Sequence, residues 1–186
     1  MKTVMVDVDN VITDSDFLDL INEFLGTSYK LTDLKNYYLQ ELIEHKKEEF
    51  WDEVKDRNFY QNSLMFDNCF NVLEKLNKVY DVYIVTAYLW KDTIDISGNN
   101  LKNKYYYLKE NLPFIEPEKY IFTTNKKIIN FDIRIDDKLE NLEGADIKLL
   151  YSAWHNNKYD DDYLRENNVI RVNNWKDIEK ILLNDL

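Results

Sequence analysis

The chain has 186 residues, of which 45% are hydrophobic and 15% aromatic, so it is long enough and apolar enough for one globular domain. With 3 glycines, 2 prolines and no apolar run near the ~20 residues that cross a bilayer, the composition argues against collagen-like, linker and membrane-bound proteins. The net charge of −11 disfavours nucleic acid as a partner. A lone cysteine, Cys69, and the absence of a signal-peptide pattern favour the cytoplasm.

Six short runs of apolar, mostly β-branched residues predict strands along the chain. They are Thr3 to Val6, Val82 to Val85, Tyr120 to Phe122, Ile133 to Ile135, Lys148 to Tyr151 and Val169 to Val172. The segments between them favour helices, because apolar residues recur there at steps of three and four. Clear examples are Phe66, Cys69, Phe70, Leu73 and Leu76, and Trp175, Ile178, Ile181 and Leu182 after a cap at Asn173 or Asn174. The alternation predicts a three-layer α/β fold with a largely parallel sheet.

The segment from about Ser15 to Met65 departs from this alternation, because it has amphipathic helical patterns but no convincing strand. One helix contains Phe17 and ends at Gly26, Thr32 caps a second, and Glu41 to Lys55 forms a third. A crossover helix needs far fewer residues than this. The sequence therefore predicts a small helical cap, residues 15–65, inserted after the first strand of a Rossmann-like core made of residues 1–14 and 66–186.

Polar residues follow four of the predicted strands. They are Asp7, Asp9, Thr86, Lys126, Asp136 and Asp137. In an open parallel sheet the carboxyl ends of the strands share one edge, where ligands bind, so we expect these side chains to converge.

The chemistry of this set points to phosphoryl transfer. Asp7 and Asp9 are two residues apart, so their side chains lie on the same face of an extended backbone. Clustered carboxylates repel one another unless a cation intervenes, and oxygen ligands favour Mg²⁺. Lys126 and the hydroxyl of Thr86 then suit the oxygens of a phosphate.

In this order the residues resemble the four motifs of the haloacid dehalogenase superfamily. The matching segments are Asp7-Val8-Asp9-Asn10-Val11-Ile12-Thr13-Asp14, Ile84-Val85-Thr86-Ala87, Lys126 and Ile135-Asp136-Asp137. More narrowly, the chain is similar to the 5′(3′)-deoxyribonucleotidases. In that family a lysine precedes an Asp-x-x-Ile-Asp-Asp segment, and a Trp and an Asn-Phe-aromatic step close the lid. The equivalents here are Lys126 with Asp132 to Asp137, Trp51, and Asn58-Phe59-Tyr60, so the resemblance runs from Lys2 to about Asn141.

The resemblance implies a role for each motif residue. Asp7 would be the nucleophile and Asp9 the general acid and base. Mg²⁺ would be held by the carboxylates of Asp7 and Asp137 and by the backbone carbonyl of Asp9, with Asp136 in support. The implied phosphate and substrate contacts are Thr86, Ala87, Lys126 and Lys138.

The chain departs from the family pattern at three positions, where Asn10 replaces a Gly, Ala87 a common Ser and Lys138 a common Arg. Asn10 fits if its φ is positive.

Two interpretations of the cap aromatics stay open. Phe50 and Trp51 either stack on a nucleobase or fill the core of the cap. His45 and His155 are interpreted as surface groups, and Asp160 to Asp162 as an exposed helix start.

The leading hypothesis is a Mg²⁺-dependent phosphatase that hydrolyses nucleoside monophosphates through an aspartyl phosphate. One alternative keeps the chemistry on a sugar phosphate or another small phosphomonoester. A receiver-type signalling module is a second, but there the acidic pair comes first and no lid interrupts the fold. A catalytically silent binding protein is a third, with little reason to keep both Asp7 and Asp9. The sequence leaves base, sugar, phosphate position and oligomeric state open, with a homodimer as one option.

Overall fold

A computed structural model describes residues 1–89 and 93–183 of the chain. Six strands form one parallel sheet in the order β3-β2-β1-β4-β5-β6. The strands are β1 (Thr3–Val6), β2 (Asp81–Thr86), β3 (Tyr120–Phe122), β4 (Ile133–Asp136), β5 (Ile147–Tyr151) and β6 (Val169–Val172). All six predicted strands are confirmed, to within one residue at each end.

The described helices are α1 (Phe17–Leu25), α2 (Lys47–Val54), α3 (Cys69–Val79), α4 (Ser97–Asn111), α5 (Asp161–Glu166) and α6 (Trp175–Leu183). Helices cover both faces of the sheet, so its central strands read as continuous apolar runs. In β1, Val4, Met5 and Val6 are all fully buried. Within the described residues, no helix combines the length and the apolar character that a membrane span requires.

The strand order creates a switch point at the centre of the sheet. From β1 the chain builds outward through β2 and β3, and then returns to place β4 on the other side of β1. Val6 accordingly pairs with Ile84 on one side and with Ile135 on the other. Ligand sites of open α/β sheets lie at such a switch point, outside the carboxyl ends of the strands.

The helical patterns of the core are confirmed with one exception. α6 buries Trp175, and its cap is Asn174, whose Oδ1 accepts a hydrogen bond from Asp177 N at 3.1 Å. α3 begins only at Cys69, and Phe70 is 40% exposed, with its ring edge-on to Phe114. The prediction that Phe70 shares the buried face of α3 is therefore wrong, because one helical step turns it ~100° away from Cys69.

The predicted cap residues, 15–65, contain helices and 3₁₀ turns but no strand. α1 ends as predicted at Gly26, which has φ 65°. Thr32 does not start a helix, since it lies in one 3₁₀ turn, Leu31–Asp33. The third predicted helix is divided into a 3₁₀ segment, Leu39–Lys46, and α2. The 3₁₀ segment buries a single residue, so it lacks the continuous apolar face that stabilises an α-helix.

Candidate active site

The structure brings the predicted acidic residues together at the carboxyl end of the sheet. Asp7 directly follows β1, and its backbone N–H donates to Ile135 O at 3.0 Å. Asp136 is the last residue of β4, and Asp137 follows it. Oxygen atoms of Asp7, Asp136 and Asp137 lie within 4.8 Å of one another, and all three residues are buried. Neighbouring strands that end together account for this cluster.

Lys126 enters the cluster from the turn after β3. Its Nζ lies 2.7 Å from Asp7 Oδ2 and 2.7 Å from Asp136 Oδ2, and the side chain is 4% exposed. Burial alone lowers the pKa of Lys126, but the carboxylates of Asp136 and Asp7 outweigh burial and raise that pKa above its ordinary value. The neighbouring Lys127 is exposed and pairs with Glu143. Of these two lysines, Lys126 is therefore the one that faces the carboxylates.

The cluster holds more negative than positive charge. Burial raises the pKa of Asp7 to about 6, although Lys126 opposes the shift. Burial also raises the pKa of Asp136, with Lys126 again opposing. One ammonium cannot balance three carboxylates at this spacing, and a hard divalent cation with oxygen ligands would. The donor set therefore fits Mg²⁺.

Hydrogen bonds distinguish the two adjacent aspartates. Asp136 Oδ1 accepts from Lys138 N at 2.9 Å and from Asn141 Nδ2 at 3.0 Å, and its Oδ2 contacts Lys126. Both oxygens of Asp136 are thus engaged by the protein. Both donors to the Asp137 carboxylate instead reach Oδ2. This leaves Asp137 Oδ1 without a donor among the described residues, and available to a cation.

The two donors to Asp137 are Asn10 and His155. Asn10 Nδ2 lies 2.9 Å from Asp137 Oδ2, and the φ of Asn10 is 61°, the positive value that its place in the motif demands. His155 Nε2 lies 2.8 Å from the same oxygen, with its ring edge-on to Tyr37. Next to it, Asn156 Nδ2 donates to the main-chain carbonyl of Asp137 at 2.8 Å. The loop after β5 therefore fixes Asp137 by both its side chain and its backbone.

Asp9 lies beside the cluster and has its own partners. Its Oδ2 is 2.5 Å from Lys104 Nζ, and its Oδ1 accepts a 2.5 Å hydrogen bond from the hydroxyl of Tyr60. Lys104 also donates to Thr86 Oγ1 at 2.9 Å and to the carbonyl of Ala87. Two cationic side chains, Lys104 and Lys126, thus approach the predicted phosphate position.

Two residues of this site were missed by the sequence analysis. Lys104 is 2% exposed on α4, and its spacing from the buried Asn100 and Leu108 is a helical step of four that could have revealed it. His155 was interpreted as a surface group, which is wrong, because the turn after β5 folds it onto Asp137. His155 follows β5 closely in sequence, so the argument that places ligand groups after strand ends could have identified it.

A cleft of about 360 Å³ opens between the cap and this cluster. Its aromatic lining consists of Phe17, Tyr29, Tyr37, Phe59, Tyr60 and Trp154. Asp9, Asn10 and Asp14 line its polar side. A wider groove of about 780 Å³ adjoins it at Asn10 and Asp14 and has no contribution from Asp9.

Phe50 and Trp51 do not line the cleft, which corrects the expectation that they stack on a substrate. Phe50 is fully buried and Trp51 is 6% exposed. Trp51 stacks on Phe17 with ring centroids 5.7 Å apart, and Phe50 packs edge-on against Phe17 and Phe24. They fill the core of the cap together with Phe17, Leu20 and Ile21 of α1, which are buried as well.

Lys138 connects the core to the cap. Its Nζ lies 3.5 Å from the centre of the Tyr37 ring, a cation–π contact. Close by, Trp154 Nε1 donates to the carbonyl of Asn36 at 3.0 Å. The cap loop around Asn36 and Tyr37 is thereby held against the loops that follow β4 and β5.

Comparisons with known proteins agree with this geometry. The model of the family described as 5′ nucleotidase, deoxy (pyrimidine), cytosolic type C protein (NT5C) matches residues 1–185. The chain is 31% identical to a 5′(3′)-deoxyribonucleotidase from Bacillus subtilis over 185 residues, which cover 98% of this chain and 99% of that protein.

Solved structures show the same fold at low sequence identity. A HAD hydrolase of family IA, variant 3, from Entamoeba histolytica has a TM-score of 0.55 and 13% identity, covering 95% of each chain. A HAD-superfamily hydrolase of subfamily IA, variant 1, from Geobacter sulfurreducens has a TM-score of 0.52 and 15% identity, covering 98% of this chain and 96% of that one. The predicted Rossmann-like fold is confirmed.

Proposed function

The chain belongs to the 5′ nucleotidase, deoxy (pyrimidine), cytosolic type C family of haloacid dehalogenase phosphatases, and we propose that it hydrolyses deoxyribonucleoside and ribonucleoside monophosphates through an aspartyl phosphate. It is a phosphoric monoester hydrolase of the nucleotidase type. The observation that carries the proposed mechanism is the pairing of two different aspartates. Asp7 is buried against Lys126, whereas the side chain of Asp9 is 30% exposed and faces the cleft.

In the first step, a carboxylate oxygen of Asp7 attacks phosphorus as the nucleoside oxygen leaves on the opposite side. Lys126 and Lys104 place positive charge beside the phosphoryl oxygens, and the hydroxyl of Thr86 supplies a hydrogen bond. Asp9 lies between Lys104 and the cleft, where it can protonate the leaving oxygen.

The proposed ligands of Mg²⁺ are an oxygen of Asp7, the free Oδ1 of Asp137 and the main-chain carbonyl of Asp9. When bound, the cation would offset the excess negative charge of the carboxylate cluster and allow a phosphate dianion to approach. Asp136 is proposed as a supporting residue, since its oxygens are already engaged by Lys126, Lys138 N and Asn141.

In the second step, Asp9 takes a proton from water, which attacks the aspartyl phosphate and releases phosphate from Asp7. The carboxylate of Asp9 is ready for this task, because it has just given its proton to the leaving group. The same residue is therefore the acid in one step and the base in the next.

The cleft supports a nucleoside as the leaving group. Its aromatic walls offer flat apolar surfaces for a base, and stacking on such surfaces contributes ~1 to 3 kcal/mol per base in single-strand binding proteins. Lys138, which lies over the ring of the cleft-lining Tyr37, remains a candidate substrate contact.

A panel of phosphomonoesters tests this proposal. Purified protein in excess Mg²⁺ is given deoxyribonucleoside 5′- and 3′-monophosphates, ribonucleoside monophosphates, a sugar phosphate and p-nitrophenyl phosphate, and released phosphate is measured. We expect the highest kcat/KM for nucleoside monophosphates. A preference for the sugar phosphate would transfer the same chemistry to another substrate class, and no release from any ester would refute the proposal.

A further inference from the structure

The carboxylate of Asp9 is held from two sides by two different parts of the molecule. Lys104, on α4 of the core, binds Oδ2, and the hydroxyl of Tyr60, at the end of the cap segment, binds Oδ1 at 2.5 Å. The cap and the core therefore both contact the carboxylate of Asp9. The side chain of Asp9 is 30% exposed and lines the cleft in which the proposed leaving group would lie.

Tyr60 is presented by a well-fixed segment. Its backbone N–H donates to Asn58 Oδ1 at 2.9 Å, and the preceding Phe59 O accepts from Asp16 N at 2.8 Å. The carboxylate of Asp16 then accepts from Asn62 N at 2.8 Å and from Ser63 Oγ at 2.9 Å. The start of α1 is thus bonded to both sides of Tyr60.

The ring of Tyr60 is also confined. It is 5% exposed and packs against Tyr107, with ring centroids 5.3 Å apart, and Lys104 Nζ lies 5.8 Å from its centre. With the backbone and the ring both fixed, the hydroxyl donates to Asp9 Oδ1, its single acceptor in the part of the chain that the structure describes.

We propose that the hydroxyl of Tyr60 positions Asp9 for proton transfer, so that the docked cap sets the orientation of the general acid and base. This inference rests on the proposed function, in which Asp9 serves the nucleoside leaving group. Tyr60 acts through Asp9 as a positioning residue, and its ring separately forms part of the cleft wall. Without the hydroxyl, the carboxylate rotates toward Lys104 and away from the leaving oxygen.

Tyr60→Phe removes the hydroxyl and keeps the ring. A hydrogen bond to a charged group contributes ~1.5 to 3 kcal/mol, so we expect kcat for a deoxyribonucleoside monophosphate to fall about ten- to a hundredfold. KM should change less than about twofold, because the cleft wall is intact. The pre-steady-state burst of p-nitrophenol from p-nitrophenyl phosphate should be almost unchanged, because that leaving group departs without a proton.

Tyr120→Phe is the matched control. It deletes another buried hydroxyl, one that donates to Ile115 O at 3.1 Å and lies outside the cleft. We expect its kcat and KM to match those of the wild type. Melting curves of both variants report whether either loss comes from unfolding.

A double-mutant cycle with Asp9→Asn separates positioning from a general structural role. If Tyr60 works through Asp9, Tyr60→Phe should lower kcat less than about twofold once Asp9 is Asn. An equal loss in both backgrounds, a loss confined to KM, or a Tyr60→Phe enzyme within twofold of the wild type would overturn the inference. Failure of the proposed function looks different, since the wild-type protein itself would then release no phosphate from nucleotides.

Discussion

The two sides of the cleft are built in different ways. On the sheet side, the acidic groups and Lys126 lie at strand ends or in the turns that follow them, and the buried Lys126 binds the carboxylates of both Asp7 and Asp136. On the cap side, the contacts that matter join loops, such as the hydrogen bond from Trp154 Nε1 to the carbonyl of Asn36. The difference suggests that the fold fixes the phosphate chemistry, while packing of the cap decides which ester reaches it.

If the sheet side supplies the phosphate chemistry, turnover should depend on a bound metal ion. Excess EDTA should reduce turnover to the level of the buffer, because the carboxylate cluster then repels a phosphate dianion. Added Mg²⁺ should restore the rate and raise the melting temperature, since a ligand that binds only the folded state stabilises it. Full turnover in EDTA would show that the carboxylates do not work through a cation.

Asp7→Asn should have the next largest effect. It removes the nucleophile and should lower kcat at least ~10³-fold, equivalent to ~4 kcal/mol of barrier, for nucleotides and p-nitrophenyl phosphate alike. Asp146→Asn is the control, since Asp146 is an exposed aspartate at the opposite end of the sheet, before β5. Residual kcat above a hundredth of the wild-type value would remove Asp7 from the role of nucleophile.

The sheet side was predictable from sequence because parallel strands that end in polar residues share an edge. That argument placed Asp7, Thr86, Lys126 and the pair after Ile135 correctly relative to one another. It missed Lys104, which approaches from the middle of a helix and not from a strand end.

The cap side was less predictable because its aromatics have no periodicity that separates core from surface. Phe50 and Trp51 are adjacent on α2, and both are buried, since Phe17 and Phe24 of α1 pack on them from one side. The division of the third predicted helix likewise depends on packing, since Leu39–Lys46 buries only Ile43 and so lacks the packed apolar face that stabilises an α-helix.

Two tryptophans test this comparison, Trp51 in the cap and Trp154 in the loop after β5. Trp51→Ala should destabilise the fold by ~3 to 5 kcal/mol, as for other buried aromatics, and damage nucleotide and p-nitrophenyl phosphate turnover alike. Trp154→Ala, at the cleft, should raise KM for nucleotides about tenfold, equivalent to ~1.4 kcal/mol, with little change for the smaller ester. Chemical denaturation and parallel kinetics would measure both. A selective rise in nucleotide KM for Trp51→Ala would restore that residue as a stacking surface.

Replacing His155 should weaken Mg²⁺ binding while every proposed metal ligand is kept. Outer partners of metal ligands typically contribute 10- to 100-fold in affinity, so His155→Ala should raise the Kd for Mg²⁺ by that factor. His155→Gln should recover part of the loss, because its amide can still donate to Asp137. Calorimetric titration with Mg²⁺ measures both values, and the exposed His45→Ala is the control. Unchanged Mg²⁺ affinity in His155→Ala would show that Asn10 and Asn156 hold Asp137 without help.

The smallest expected effect is the pH dependence of stability without metal. Burial raises the pKa of Asp7 and of Asp14 to about 6, above the ~4 of an unfolded aspartate. The folded chain then binds more protons than the unfolded chain between pH ~4 and ~6, so stability falls as pH rises through that window and is level above it. In EDTA the melting temperature should therefore be higher at pH 5 than at pH 7, by a few degrees at ~2 to 4 °C per kcal/mol.

The same melting curves test whether the carboxylates at the sheet edge cause this pH dependence. Asp7→Asn should flatten the pH dependence, because it removes one of the carboxyl groups whose raised pKa lets the folded chain bind extra protons. Added Mg²⁺ should raise the melting temperature more at pH 7 than at pH 5, where protons compete for the same oxygens. A melting temperature in EDTA that drops from pH 7 to pH 5 would contradict the raised pKa values. It would also mean that the carboxylates at the sheet edge are already balanced without a metal, by Lys126 and Lys104 alone.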